Sequence, residues 1–162
     1  SGCVLPSTGV LLQNRGVSFS LDPDHVNALA PGKRPMHTLN PPLADFADGR
    51  VLSYGAMGGD GQPQFQAQIL TRMSFGMSPA AAIDAPRFRY DKTWKAKNAT
   101  LKMENRFDPS LGAALDKAGH HIELSSEPYA DSFGHCGALL RHRDGRIEAA
   151  HDPRSDGGAE GI

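Results

Sequence analysis

Residues 51–75, VLSYGAMGGDGQPQFQAQILTRMSF, decide the fold predicted for this chain. Val51–Ala56 is rich in β-branched, apolar and aromatic residues, which is typical of a short strand. The segment from Gln62 to Phe75 is predicted to form a helix because its apolar side chains recur at helical spacing on one face. These side chains are Phe65, Ile69, Leu70 and Met73.

A glycine-rich turn, GAMGGDG at 55–61, joins this strand to this helix. Glycine tolerates positive φ angles and lets a ligand approach the backbone closely. The start of a helix also offers unpaired N–H groups and the positive end of the helix dipole. The turn therefore favours a pocket for an anion or an oxyanion. A turn without function is the alternative, since neither a P-loop ending nor GxGxxG spacing is present.

Length and charge exclude several classes of protein. The 162 residues suit one domain with a substantial core. Charged residues make up 22% of the chain and the formal net charge is −1, so no nucleic-acid partner is expected. No apolar run has the length of a membrane span and no signal peptide is visible, so no membrane partner is expected either.

The cysteines and histidines give no sign of a metal site or a disulfide framework. Cys3 and Cys136 have no CxxC partner, so reduced thiols in a reducing, cytoplasmic compartment are expected, with one disulfide left open. Four histidines of the C-terminal half form no metal-ligand pattern, and neither metal nor cofactor is predicted. These histidines are His120, His121, His135 and His142.

On the N-terminal side of the central stretch, the signals are short and irregular. Val10–Leu12 is predicted to be a strand, and the proline-rich stretch 20–42 is predicted to be a long irregular excursion. A strand from about Leu43 to Phe46 would turn at Asp48-Gly49 and pair with the central strand as a hairpin.

On the C-terminal side, helices and strands are mixed. Ser78-Pro79 and Asp108-Pro109 are typical helix starts, and Asp144-Gly145 predicts a hairpin turn. Residues 91–99 are predicted to be a loop, and the tail from Asp152 is expected to bury little. Strands are predicted at Arg87–Tyr90, Thr100–Glu104, His121–Leu124, Gly137–Leu140 and Arg146–Ala150. Mixed helices and hairpin strands favour an α+β layered fold.

Five motifs along the chain together resemble one enzyme family. They are TGVLLQNRG (8–16), PGKRPMHTLNPP (31–42), GAMGGDGQPQ (55–64), DAPRF (84–88) and DPRSDGGAEG (152–161). In this order and spacing they resemble the C-terminal part of the small, catalytic subunit of γ-glutamyltranspeptidases, which are N-terminal-nucleophile hydrolases. The resemblance implies that residues 1–162 are a single domain, a partial αββα four-layer sandwich that lacks the first strands.

The resemblance also implies a mechanism. In that family, autocleavage of a proenzyme exposes an N-terminal threonine, which attacks a γ-glutamyl amide with its own amine as base. The acyl group then passes to water or to an amino acid. The chain begins at Ser1 without an initiator methionine, and the threonine is expected upstream of it, so this chain alone is expected to be inactive. Ser1, itself an N-terminal hydroxyl residue, is the alternative nucleophile.

By position, the resemblance implies two groups that act on the reacting amide and on a substrate carboxylate. Gly58 and Gly59 match the glycine pair of the family's oxyanion hole, where each donor is worth roughly 3 kcal/mol. His37 and Thr38 match two serines that bind the substrate's α-carboxylate. Thr38 keeps a hydroxyl, whereas a histidine at 37 changes the chemistry and can carry a charge.

Arg15 and Ser18 match the amide and the acid that bind the α-carboxylate and the α-amine of the glutamyl group. Loss of the acid at 18 weakens the case for a substrate with a free α-amine. Arg15 could instead hold a carboxylate through two hydrogen bonds, which leaves a glutaryl amide open as the substrate. The alternative for Arg15 is an exposed turn residue without function.

The partners implied are the large subunit of the same proenzyme and a γ-glutamyl or glutaryl amide substrate. A chain without its large subunit would leave strand edges and apolar surface uncovered, so self-association is also expected. A non-catalytic structural or subunit-binding domain is the alternative to an enzyme. Arg87 and Arg154 are expected to brace the fold through ion pairs, and Cys136 is expected to be packed in the interior.

Overall fold

The computed structural model describes residues 2–91 and 99–161. Residues up to Leu39 and residues from Asn40 onward form two compact units, and each is described by itself. Ser1 and residues 92–98 lie outside the described residues, so the predicted alternative nucleophile and most of the loop predicted at 91–99 lie outside them as well.

The first unit has little regular structure. It contains a 3₁₀ helix at Arg15–Ser18 and two isolated bridges, which join Val4 to Leu11 and Ser20 to Ala28. The strand predicted at Val10–Leu12 is therefore wrong. Leu11 pairs with Val4 in one isolated bridge, flanked by hydrogen bonds from Leu5 N to Val10 O (2.9 Å) and from Leu12 N to Cys3 O (2.8 Å), and a single bridge does not make a strand ladder. The irregular excursion predicted from residue 20 is confirmed. Within 2–39, none of the described residues is fully buried.

The second unit contains the strands and α-helices described for the chain. Its strands are β1 (Leu43–Asp45), β2 (Val51–Ala56), β3 (Phe88–Asp91), β4 (Thr100–Met103), β5 (Ile122–Leu124), β6 (Cys136–Arg141) and β7 (Ile147–His151). Its helices are α1 (Gln62–Ser74), α2 (Pro79–Asp84) and α3 (Pro109–Lys117). The strands and α1 lie within two residues of their predicted ends, although Asp91, predicted to be in a loop, belongs to β3. Helices α2 and α3 begin at the predicted prolines, Pro79 and Pro109.

Four strands form an antiparallel sheet in the order β1-β2-β6-β7. The two predicted hairpins, β1 with β2 and β6 with β7, are confirmed, and β2 pairs with β6 along its whole length. Helices α1 and α2 cover one face of this sheet, because the apolar stripe of α1 faces Leu52 and Leu140. Phe65, Ile69 and Met73 of that stripe are buried, as their spacing predicted.

Strands β3, β4 and β5 form a second, mixed sheet, in which β4 pairs antiparallel with β3 and parallel with β5. Helix α3 lies beside it without burying any of its residues. The apolar residues Leu111, Ala114, Leu115 and Ala118 recur at helical spacing along it and would form one face. Leu111 and Leu115 line an open apolar cavity of about 460 Å³, so this face packs more loosely than expected.

The outer edge of β3 is paired with side chains of α1. The amide group of Gln68 accepts a hydrogen bond from Phe88 N (3.1 Å) and donates one to Phe88 O (2.7 Å). The amide group of Gln64 likewise accepts a hydrogen bond from Tyr90 N (2.7 Å) and donates one to Tyr90 O (3.1 Å). Because Gln64 and Gln68 are one helical turn apart, their amides follow the two-residue spacing of the strand edge. This edge of the sheet is therefore already hydrogen-bonded.

Antiparallel and mixed sheets with helices on one side agree with the predicted α+β class. The expectation that the C-terminal tail buries little is wrong, since Asp152 is 0% and Arg154 is 7% exposed. Their charges are compensated inside the protein, which local sequence signals do not show. Within the described ranges, no helix has the length and apolar character needed to cross a membrane.

Candidate active site

The predicted glycine turn is a tight loop between β2 and α1. Gly58 has φ 137° and Gly59 has φ 55°, values that favour glycine. A single 3₁₀ turn follows at Gly59–Gly61, closed by Gly61 N, which donates to Gly58 O at 3.0 Å. Helix α1 begins at the next residue, so its N-terminus lies at the end of this loop.

Two neighbouring backbone N–H groups of this loop, those of Gly58 and Gly59, have no hydrogen-bond acceptor among the described residues. Gly59 is exposed and Gly58 is half-buried, so the loop reaches solvent. The positive end of the α1 dipole adds to the field of the two donors. Two neighbouring donors at a helix start can stabilise a negatively charged oxygen.

The ring of Phe65 lies directly beneath this loop. A Cβ atom would lie 2.9 Å from the ring if added to Gly58, 2.7 Å if added to Gly61 and 2.8 Å if added to Gly134. Real Cβ atoms do not approach so closely, so three glycines are required around one fully buried ring. Helical spacing predicted that Phe65 is buried, but no signal in the sequence indicated Gly134.

Below Phe65 lies a buried arginine. The guanidinium of Arg87 is 5.7 Å from the centroid of the Phe65 ring, within the range of a cation–π interaction. Arg87 is 0% exposed and pairs with the equally buried Asp152. The same carboxylate accepts a hydrogen bond from Cys136 N at 2.7 Å. The loop therefore contacts the Phe65 ring, and the ring in turn contacts this buried ion pair.

The ion pair is part of a larger buried network. Arg154 binds Asp152 at 3.0 Å and Glu104 at 2.5 Å, and Arg106 binds Glu104 at 2.7 Å. The prediction that Arg87 and Arg154 brace the fold is confirmed. The network brings together the DAPRF and DPRSDGGAEG motifs, which lie far apart along the chain.

Guanidinium groups also bind the carbonyls at the C-terminal end of α2. Arg154 donates to Ile83 O at 3.1 Å and Arg106 donates to Asp84 O at 2.6 Å. Arg72 donates to the carbonyls of Ala82 (3.2 Å) and Pro86 (2.5 Å). The carbonyls of Ala82, Ile83 and Asp84 belong to the last turn of α2 and carry the negative end of its dipole, so cations are favourable there, whereas Pro86 lies just beyond the helix.

Burial and charge shift two pKa values in this network in opposite directions. Burial by itself would raise the pKa of Asp152, but the charge of Arg87 and hydrogen bonds from Arg154 and Cys136 hold it below its usual range. Burial raises the pKa of the Cys136 thiol to about 12 despite the nearby Arg87. Asp152 is therefore ionised and Cys136 is a protonated, packed thiol, as predicted for the latter.

The predicted substrate-binding residues lie in the first unit, whereas Gly58 and Gly59 lie in the second. Arg15 and Ser18 are the two ends of the 3₁₀ helix, and both are half-buried. His37 is exposed, and its Nδ1 accepts a hydrogen bond from Leu39 N at 3.2 Å. Thr38 is half-buried. The roles given to these four residues stay predictions.

A metal site is not apparent at this loop or elsewhere in the described ranges. Groups of three or more histidine, cysteine, aspartate or glutamate side chains that could hold an ion do not occur there.

Comparison with known proteins gives a match over the whole chain. A family model described as gamma-glutamyltranspeptidase matches residues 1–162. An oxamate amidohydrolase proenzyme of Klebsiella pneumoniae is 50% identical over 162 residues, which are 99% of this chain and 30% of that protein. A glutathione hydrolase-like YwrD proenzyme of Bacillus subtilis is 42% identical over 96% of this chain and 30% of its own length.

A solved structure agrees with these matches. The cephalosporin acylase from Bacillus halodurans superposes with a TM-score of 0.70 at 33% identity, covering 97% of this chain and 29% of that one. The chain thus spans about 30% of the length of the curated relatives named above.

Proposed function

Because the chain belongs to the γ-glutamyltranspeptidase family, we propose that it supplies the oxyanion-binding part of an amide-cleaving enzyme. One observation carries the proposal: the adjacent N–H groups of Gly58 and Gly59 have no acceptor among the described residues and lie at the start of α1. Their place at the start of α1 adds the positive end of the helix dipole, which favours a negatively charged oxygen there.

The reaction begins with attack on the amide carbonyl by an N-terminal threonine, the nucleophile implied by the family. The carbonyl oxygen becomes negative in the tetrahedral intermediate, and Gly58 and Gly59 donate hydrogen bonds to it. Loss of one such donor typically lowers kcat by about 10²- to 10³-fold. The amine then leaves, and water or an amino acid removes the acyl group from the threonine.

The substrate is proposed to be a short amide that carries a carboxylate and no α-amine. Ser18 offers no charge to an ammonium group, whereas Arg15 can bind a carboxylate through two parallel hydrogen bonds. Thr38 and His37 add further polar groups for the same carboxylate. A relative that is 50% identical is named for oxamate, an amide of this kind.

A γ-glutamyl amide is the second candidate substrate, because a relative at 42% identity is named glutathione hydrolase-like. A glutaryl amide is the third, because the superposed structure at 33% identity is a cephalosporin acylase. The three amides differ in the distance from carboxylate to scissile carbonyl and in the α-amine. Turnover of oxamate, γ-glutamyl-p-nitroanilide and a glutaryl anilide by the matured protein therefore ranks them.

The oxyanion role is tested by two neighbouring substitutions with different steric consequences. A Cβ on Gly58 would lie 2.9 Å from Phe65, whereas a Cβ on Gly59 meets nothing within 4 Å. Both variants keep the backbone N–H, but only an alanine at 58 must move the loop away from the Phe65 ring. We therefore expect Gly58→Ala to lower kcat by about 100-fold or more and Gly59→Ala by much less. Full activity of Gly58→Ala, or no turnover of any of the three amides by the matured wild type, would contradict the proposal.

The large subunit is proposed as the partner of the outward face of the four-stranded sheet. This face exposes Leu43 (66%), Leu139 (53%) and Ile147 (64%), opposite the face covered by α1 and α2. In the four-layer sandwich implied by the resemblance, a second sheet packs on such a face. Residues 1–162 expressed alone should therefore self-associate, and addition of the large subunit should dissolve the aggregates. A stable monomer in sedimentation that binds no apolar dye would count against this.

A further inference from the structure

We propose that Gly134 is a positioning residue for the oxyanion hole, because it fixes the peptide unit that carries the N–H of Gly58. The inference rests on the proposed function and adds to it a residue far from the loop in sequence. Gly134 touches no substrate in this proposal. It acts through Met57, the residue that precedes the glycine pair.

The carbonyl of Met57 and the N–H of Gly58 belong to the same planar peptide unit. A Cβ on Gly134 would lie 2.2 Å from Met57 O, far inside the contact distance. The obstructing atom is backbone and cannot swing aside as the end of a long side chain can. The Cα of Gly134 therefore packs against the carbonyl side of the peptide whose other side presents the Gly58 donor.

The same segment also holds the opposite side of Met57. Met57 N donates to His135 O at 2.8 Å, so residues 134 and 135 contact Met57 through both its N–H and its carbonyl. This leaves the orientation of the 57–58 peptide little freedom. The N–H of Gly58 is directed by these contacts and not by a hydrogen bond of its own.

Gly134 is itself held firmly in place. It ends the 3₁₀ helix Asp131–Phe133 with φ 71°, and its N–H donates to Asp131 O at 3.0 Å. Phe133 anchors this helix in the core at 2% exposure. The ring of Phe65 lies 2.8 Å from where a Gly134 Cβ would stand, so the segment cannot retreat from Met57 in that direction.

An alanine at 134 would have to displace Met57 O, and this would rotate the 57–58 peptide and turn the Gly58 N–H away from the developing oxyanion. Because that hydrogen bond strengthens only as the charge develops, the loss falls on kcat more than on KM. A mere loss of folding stability would lower the amount of active enzyme but not the kcat of each folded molecule, so kcat is measured per active site after titration of the acyl-enzyme.

The test compares Gly134→Ala with Gly145→Ala in the matured enzyme. Gly145 also has a positive φ, 88°, but an added Cβ meets nothing within 4 Å, so it matches the backbone strain without the contact. For Gly134→Ala we expect kcat to fall by about 100-fold and KM to change less than about threefold, while Gly145→Ala stays near wild type. The proposal is overturned if the kcat of Gly134→Ala lies within about threefold of the kcat of Gly145→Ala.

Phe65→Leu serves as a second variant if Gly134→Ala does not mature. It removes the ring that confines Gly134 and Gly58 while keeping an apolar side chain, and we expect about a tenfold fall in kcat at nearly constant KM. A wild-type kcat overturns the proposal. The ¹⁵N–¹H resonance of Gly58 should also shift in both variants. If the wild type cleaves no amide, the proposed function fails, and this resonance alone decides whether Gly134 orients Gly58.

Discussion

Replacement of Asp152 by asparagine should destabilise the protein far more than a single charge removal at the surface. Asp152 Oδ2 accepts from Arg87 and from Cys136 N, while Oδ1 accepts from the N (2.9 Å) and Nη1 (3.0 Å) of Arg154. An asparagine has nearly the same volume, but its NH₂ group would face N–H donors where one carboxylate oxygen of Asp152 accepts hydrogen bonds. It also leaves the Arg87 guanidinium, which is 0% exposed, without its counter-ion.

The magnitude follows from the burial of both partners. Breaking a buried ion pair by removing one member typically costs about 3–5 kcal/mol, because the remaining charge is left desolvated. For a protein of this size that corresponds to a fall in melting temperature of roughly 6–20 °C. Asp156→Asn is the matched control, since Asp156 is exposed and lies in the same tail. Its effect should stay within about 0.5 kcal/mol.

The pH dependence gives a second check on the same group. Because the folded-state pKa of Asp152 lies below the unfolded value of 3.8, its contribution is complete above that value and is lost as the pH falls through the folded pKa. The difference between wild type and Asp152→Asn should thus be constant from about pH 8 to pH 5 and narrow below about pH 4. Thermal melts of both variants at a series of pH values measure it. A loss below about 1 kcal/mol at neutral pH would refute the reasoning.

Three further outcomes are expected. The double variant Gln64→Met, Gln68→Met should destabilise the protein by about 1–2 kcal/mol, since water partly replaces the lost hydrogen bonds. It should also accelerate hydrogen exchange of the β3 amides, and unchanged exchange would contradict the pairing. Arg154→Lys should lower the free energy of unfolding, measured by urea denaturation, by about 3 kcal/mol or more. An ammonium group cannot hydrogen-bond to two carboxylates and the α2 carbonyls together, and a loss below about 1 kcal/mol would contradict this. Cys136, at 4% exposure and with a pKa of about 12, should react with iodoacetamide only after unfolding. Because Cys3 is exposed, the label is located by peptide mapping, and rapid labelling of Cys136 in the native protein would contradict this.

The elements that could be predicted from sequence are those with strong local signals. Helix α1 follows from the spacing of Phe65, Ile69 and Met73, and the β6–β7 hairpin from Asp144-Gly145 between two apolar runs. Val10–Leu12 has a similar apolar run but forms only the isolated bridge between Leu11 and Val4, because a strand needs a longer row of residue pairs with its neighbour. Local composition does not contain that information.

At the candidate site too, features with a local sequence signal were predicted, and features that depend on distant segments were not. The loop at Gly58–Gly59 follows from a strand, a cluster of glycines and a helix in immediate succession. The contact of Gly134 with Met57 and the pairing of Arg87 with Asp152, which are 65 residues apart, depend on how distant segments pack. The burial of Asp152 and Arg154 was missed for this reason, since charged residues in a glycine-rich tail are usually solvated.

The glutamine pairs on α1 determine in which direction the second sheet can be extended. A bare strand edge recruits other strands, including those of neighbouring molecules, and is a common starting point for fibrils. At β3 the outward backbone groups of Phe88 and Tyr90 are already occupied by Gln64 and Gln68. Any additional strand joining this sheet must therefore pair with β5. The side chains of Gln64 and Gln68 thus block polymerisation that would need strand addition at both edges.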